Sequence, residues 1–208
     1  MGKRIHIKSS LCVLHPVDMK DVMQYQASEV GSPFIIMLKT PTFSERFNDD
    51  HRHYTKSNIN VCYSSPRSMK YPRNWYETQL TVKKDVREKN GYPYKGIPFY
   101  AVTDDGFGFL AHTTSACNKQ LAAVGDELIL GKWIKGRLVA EDLVQAIEDT
   151  SKDKERLGMI TTEILAKYGC NAIAFQKTDK KITDPDNAKN SYEIWTLKLL
   201  QIDGDNDG

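Results

Sequence analysis

Cysteine is scarce in this 208-residue chain, and the four present, Cys12, Cys62, Cys117 and Cys170, form no CxxC pair. Their spacing speaks against a structural zinc site, and scattered thiols suit a reduced, cytoplasmic protein better than a disulfide framework. No run of about 18 apolar residues is present, the length of a membrane-spanning helix, so no membrane partner is expected. The opening MGKRIHIKSS has no apolar core of the signal-peptide kind. Gly2 is followed by Lys3, with no Ser or Thr at position 6, so myristoylation fits poorly. A Walker loop, GxGxxG and GxSxG are also missing, as are paired carboxylates beside a strand-borne E-x-K. Neither a cofactor nor a metal is expected.

Acid is missing from two places. Residues 51–76 hold Arg52, Lys56, Arg67, Lys70 and Arg73 and no Asp or Glu, and residues 106–125 hold only Lys119. The net charge of the whole chain is +2, so everything outside these two windows is net negative. Concentrated positive charge is what a nucleic-acid or phosphate footprint requires, although a solvated loop can cluster cations too.

With 40% hydrophobic and 27% charged residues, the chain is expected to bury a core. PFIIMLK (33–39), INVCY (59–63), WYETQLTV (75–82), IPFYAVT (97–103), FGFLAHT (107–113), NAIAFQK (171–177) and SYEIWTLKLL (191–200) read as strands. Asp104-Asp105-Gly106 reads as a hairpin turn. Asp126 can cap a helix carrying Leu130, Trp133, Ile134 and Leu138, within which Gly131 and Gly136 each cost about 1 kcal/mol relative to Ala. Residues 140–158 read as a polar, helix-like, exposed insertion, and Thr161–Tyr168 as a capped helix ended by Gly169. The pattern predicts a mostly β (α+β) fold: a small, largely antiparallel barrel with helices at its ends.

Two segments stand out. Ser64–Glu77 combines Arg67, Lys70 and Arg73 with Pro66, Pro72, Asn74, Trp75 and Tyr76. Prolines lower the cost of ordering a loop on a ligand. Arginine matches phosphate and guanine edges, and Asn74 can pair with adenine. A basic surface loop whose aromatics cover the core is the plainer reading. His112–Leu121 offers His112, Thr113, Thr114, Ser115, Asn118, Lys119 and Gln120 with no negative charge, as would an ordinary polar connection.

Candidate chemistry is thin. His6-Ile7-Lys8 matches half of an HxKxxxxD phosphodiesterase signature, but Val13 stands where the Asp belongs. Asp49, Asp50, His51 and His53 could ligate a metal, or simply form a polar loop. The tail Asp203–Gly208 reads as half of a calcium loop without its closing Glu, hence as a disordered acidic terminus.

Thr103-Asp104-Asp105-Gly106, Lys119, Leu130-Gly131, Trp133, Lys135 and Arg137-Leu138 fall in register on a family pattern. Arg73-Asn74-Trp75 and Tyr168-Gly169 extend it. This set resembles the DNA-recognition domain of the NgoFVII-type restriction endonucleases. These are related to BfiI and share the B3-like pseudobarrel of the EcoRII effector domain and the plant B3 transcription factors. The resemblance covers residues 58–200. It implies a seven-stranded open pseudobarrel with short helices at its ends, inserting two arms into the major groove of double-stranded DNA. The arms would be Ser64–Glu77 and His112–Gln120. DNA contacts would come from Arg67, Lys70, Arg73, Asn74, Tyr76, His112, Thr113, Thr114, Ser115, Asn118, Lys119 and Gln120. The setting would be the cytoplasm of a bacterium with a restriction–modification system.

There are departures. Thr113, Ser115 and Ala116 stand where the second arm often carries large readers, which implies a different target. Cys170 replaces a usual Arg, Glu141–Leu157 looks inserted, and residues 1–57 form an extension without a recognised counterpart. No catalytic site can be assembled, so cleavage would fall to a nuclease domain or subunit. Two other readings stay open. One is a complete small nuclease built around His6, Lys8, Asp50, His51 and His53. The other is a barrel that binds RNA or protein.

Overall fold

In the computed structural model, residues 7–47, 59–64 and 72–203 are described. The strands are β1 (His15–Pro16), β2 (Phe34–Met37), β3 (Leu80–Thr81), β4 (Phe99–Thr103), β5 (Phe107–Thr114), β6 (Gln120–Ala123), β7 (Ala172–Asp184) and β8 (Asn187–Leu200). The helices are α1 (Met19–Ala27), α2 (Lys84–Arg87), α3 (Ile129–Ala140) and α4 (Thr162–Tyr168). Seven strands form one path, β2-β7-β8-β4-β5-β6-β3, which curls into a nearly closed barrel, and β1 joins the side of β5. Pairing is antiparallel except between β4 and β8. The expected mostly-β pseudobarrel with short helices is the fold.

Strand β4 is apolar along its whole length because both of its faces are covered. Phe99 and Ala101 point into the barrel beside Phe109, Phe175 and Trp195. Tyr100 and Val102 point outward, where Leu11 and Val22 from the N-terminal segment cover them with Leu110 and Ile194. Successive strand residues alternate faces, so an unbroken apolar run signals two covered faces. The barrel centre is aromatic: Phe34 lies 5.3 Å from Phe175 and 6.0 Å from Trp195, centroid to centroid. Strand β2 is hydrogen-bonded along β7, so the barrel takes in chain upstream of residue 58.

The DDG turn forms as expected, with Gly106 at φ +88°. Helix α3 also forms, although its N-cap is Leu128; Asp126 sits two residues earlier and accepts from the Leu128 N–H at 2.8 Å. Three expectations fail locally. Residues 59–63 are not a strand but end in a single 3-10 turn, Val61–Tyr63. Here Asn60 replaces a ladder, bonding both the N–H and the carbonyl of Ile160 at 2.9 and 2.7 Å. Most of 75–82 is not strand either. The Tyr76 N–H bonds to the Asn74 side chain and the Glu77 N–H to the Asn74 carbonyl, which folds the segment into a turn and leaves only Leu80–Thr81 on the ladder.

The third is residues 140–158, which are neither helical beyond residue 140 nor a detached insertion. They fold as a chain of turns over residues 59–64. Thr150 donates to the Cys62 carbonyl, and the Asp153 carboxylate accepts from the Tyr63 hydroxyl and the N–H groups of Leu157 and Gly158. Val144 is buried there.

Candidate nucleic-acid interface

The two loops singled out in the sequence meet at one short ladder. Strands β3 and β6 pair antiparallel, Leu80 opposite Leu121 and Thr81 opposite Gln120. The first loop enters β3 at its Leu121 end, and the second enters β6 at its Thr81 end. The ladder extends one bond further, from the Val82 N–H to the Lys119 carbonyl at 2.7 Å. From Glu77 to Val82 is five residues, at most about 17 Å of extended chain. The roots of the loops are therefore no further apart than about 17 Å, against about 12 Å for the width of a B-DNA major groove.

Alternation decides what lies between them. Leu80, Val82, Leu121 and Ala123 point into the core. Gln79, Thr81, Gln120 and Ala122 point outward and are partly exposed, and across the β5–β6 pairing they adjoin His112 and Thr114. None of the six is acidic. Gln79 and Thr81 were not among the candidate residues. The alternation Q-L-T-V signalled them, once the strand was confined to its last residues.

The foot of the first arm is built by the family-pattern residues. Arg73 is ion-paired with Glu77, and both side chains are largely buried. The Trp75 indole N–H donates to the Gly158 carbonyl at 2.7 Å, and Tyr76 stacks edge-on against Trp75. Beneath lies Lys135, fully buried, its ammonium donating to the carbonyls of Trp75 and Glu77 and to the Cys62 sulfur. Burial pushes the Lys135 pKa down. Gly131 brings α3 so close to the loop that a Cβ there would sit 1.7 Å from the Tyr76 carbonyl oxygen.

The rest of the pattern locks the far side of α3 to the β4–β5 turn. Arg137 is ion-paired with Asp104 and donates to the Tyr168 hydroxyl at 2.6 Å. The Trp133 indole donates to Asp105 at 2.9 Å, and Thr103 bonds Asp105 as well. Burial pushes the Asp104 carboxyl up, and the Arg137 guanidinium works against that shift. These motif residues hold the barrel end and the arm's foot rather than facing a ligand.

The second arm is a tight reversal with Ser115, Cys117 and Asn118 at φ of 69°, 56° and 56°. Each such non-glycine conformation costs on the order of 1 kcal/mol, and the neighbouring segment braces it. Arg87 donates to the Cys117 carbonyl, Tyr92 to the Asn118 carbonyl at 3.0 Å, and the Asn118 amide to the Pro93 carbonyl at 2.7 Å. Burial pushes the Tyr92 hydroxyl up to about 12, which keeps it a donor. Lys119 and Cys117 are exposed at the tip. Burial holds His112 below the ordinary imidazole value, so it is neutral at pH 7.

The candidate residues thus divide. His112, Thr114 and Gln120 share the outer face of the ladder, with Ser115, Asn118 and Lys119 at its rim. Arg73, Asn74 and Tyr76 shape the first arm's foot. Thr113 is fully buried, its hydroxyl donating to the Pro93 carbonyl at 3.1 Å, so it supports the arm from inside. Arg67 and Lys70 lie outside the described residues, as do His6, Asp49, Asp50, His51 and His53, while Lys8 is exposed. Among the described residues no cluster of His, Cys, Asp and Glu could hold a metal, and no helix is long and apolar enough to cross a membrane.

Buried polar atoms without a protein partner are rare in native folds, and each calls for a ligand, water or other explanation. Seven such side-chain atoms occur among the described residues. Thr81 Oγ1, His112 Nδ1, Asn118 Oδ1 and Arg87 Nε lie on the ladder or around the second arm, and Thr78 Oγ1 lies at the foot of the first. Five of the seven among the described residues thus lie on the ladder or beside the arms.

A family model described as the NgoFVII C-terminal B3-like DNA-binding domain matches residues 34–168. No curated protein matches the chain.

Proposed function

Because the chain belongs to the family of NgoFVII C-terminal B3-like DNA-binding domains, we propose that it holds duplex DNA in the major groove between its two arms. DNA recognition of the restriction-endonuclease kind is the function of this family. The assignment of groove, arms and residues is our reading. The observation that carries it is the acid-free ladder face between the arms.

Lys119 and the first-arm cations Arg67 and Lys70 neutralise phosphates and set register. Gln120, Thr114 and Ser115 approach base edges. Asn118 donates its amide to the Pro93 carbonyl and its Oδ1 is buried, so it holds the shape of the arm that carries Lys119. Arg73, Asn74 and Tyr76 shape the arm that carries Arg67 and Lys70. Cleavage is supplied by a nuclease domain or subunit acting with this one.

Selection from a randomised duplex pool at about 150 mM salt, where non-specific binding is weak, tests this reading. A short enriched motif that Lys119→Ala loses is expected. No enrichment, together with no salt-sensitive binding, would defeat it. Thiol footprinting gives an independent check. Cys117 is the exposed cysteine at the tip of the second arm, Cys12 is half-buried, and Cys62 and Cys170 are buried. The selected duplex should slow alkylation of Cys117 and leave Cys12 unchanged. Equal Cys117 rates with and without DNA would put that arm outside the interface.

A further inference from the structure

We infer that the β3–β4 connection forms a third DNA-contacting element, in which Tyr94 and Lys95 clamp the sugar–phosphate backbone beside the second arm. This rests on the two-arm reading above and extends it to a segment that neither arm includes.

The connection runs along the second arm on the side away from β6. Lys95 forms a parallel bridge with Thr113, and the Gly96 N–H donates to the Thr113 carbonyl at 2.8 Å. The Pro93 carbonyl accepts from both Thr113 and Asn118, so the arm and the connection are fastened to each other residue by residue. Adjacent strands lie about 4.8 Å apart, which places Lys95 roughly 10 Å from β6, across β5. That is the distance from the floor of a groove-bound face to the flanking phosphates.

The side chains fit the position. Tyr94 is 83% exposed, the most exposed large apolar side chain among the described residues, and Ile97 beside it is 60% exposed. Their backbone is nevertheless fixed, since the Ile97 N–H also bonds the Tyr94 carbonyl at 3.1 Å. A rigid, exposed tyrosine gives up little entropy on docking and offers both an apolar ring and a donor, the combination favoured at interfaces. Residues 83–97 carry Lys83, Lys84, Arg87, Lys89 and Lys95 against Asp85 and Glu88, a net charge of +3. Lys84 is paired with Glu88 on the exposed face of α2, while Lys95 is exposed and has no ion-pair partner among the described residues. The occupant that suits an exposed ring beside free cations, continuous with a DNA-binding arm, is the DNA backbone itself.

The test is equilibrium binding of the full chain to a duplex carrying the selected site. Tyr94→Ala and Lys95→Ala are compared with Lys119→Ala and with Lys180→Ala on the distant β7–β8 hairpin. Tyr94→Ala and Lys95→Ala should each weaken binding roughly three- to tenfold, and Lys95→Ala should reduce the salt slope by about one. The selected sequence should not change, and the loss should vanish on a duplex trimmed to the recognition sequence. Melting temperatures should match wild type, since neither side chain is buried. Wild-type affinity in both variants, with binding weakened in Lys119→Ala, would overturn the third element and leave the two-arm reading standing. No duplex binding by the wild-type chain would overturn both.

Discussion

Alanine at Gly131 is expected to lower the melting temperature by about 6–12 °C and to cost DNA binding as well. The added Cβ would lie 1.7 Å from the Tyr76 carbonyl oxygen and 2.7 Å from its carbon, and both are backbone atoms. Something must move by more than an ångström. Helix α3 is not free to move, because Trp133 and Arg137 on its other side hold Asp105 and Asp104. The loop must shift instead, which pulls the Trp75 and Glu77 carbonyls away from the buried Lys135 ammonium. Overpacking of this kind costs about 3 kcal/mol, and each kcal/mol is worth about 2–4 °C in a chain of this size. Gly136, on the same helix, is the internal control. A Cβ there meets nothing within 4 Å, so Gly136→Ala should gain up to about 1 kcal/mol of helix propensity. Thermal unfolding of the two variants decides the matter. If Gly131→Ala melts within a degree of wild type, the close approach of α3 to the arm is wrong.

How much of this was legible depended on where the information resided. The β4–β5 hairpin, α3, α4 and the inner halves of β7 and β8 were readable because local pattern and tertiary role agree in them; the polar outer half of that β7–β8 hairpin, residues 178–190, was not. Residues 59–63 were not, because Asn60 satisfies the backbone of Ile160, a hundred positions away, and apolar residues buried by such a contact look the same as strand residues. Strand β6 was hidden inside what read as a polar arm, since only Leu121 and Ala123 of its four residues face the core.

The site divided in the same way. Lys119 apart, the pattern residues that carried the family resemblance, from Thr103 through Arg137, are the brackets of the scaffold. That explains why they spell a family without spelling a target. The ladder face bearing Thr81, Gln120 and His112 came into view only through strand register. The brace on the second arm, formed by Arg87, Tyr92 and Pro93, came only from contacts at 20 to 30 residues of separation.

Salt dependence should show the largest effect. Several cations among the described residues are committed within the protein. Arg73 is held by Glu77, Arg137 by Asp104, Lys132 by Asp126, Lys177 by Glu193 and Lys198 by Glu29, while Lys135 is buried. Near the arms, Lys83, Lys89, Lys95 and Lys119 are exposed and have no ion pair among the described residues. Arg67 and Lys70 join them from the first arm under the proposed reading. Six phosphates neutralised at about 0.9 counterion each give a slope near −5 in log affinity against log salt. Affinity should therefore fall on the order of a thousandfold between 50 and 200 mM. The net charge of +2 would not suggest this, because acid elsewhere in the chain offsets the footprint. Titration of the variants separates the two kinds of cation. Lys119→Ala should flatten the slope by about one, since it removes one phosphate contact. Arg73→Ala should weaken binding with the slope nearly unchanged, because Arg73 acts on Glu77 inside the protein. A wild-type slope near zero would mean that the arms grip something other than a phosphate backbone.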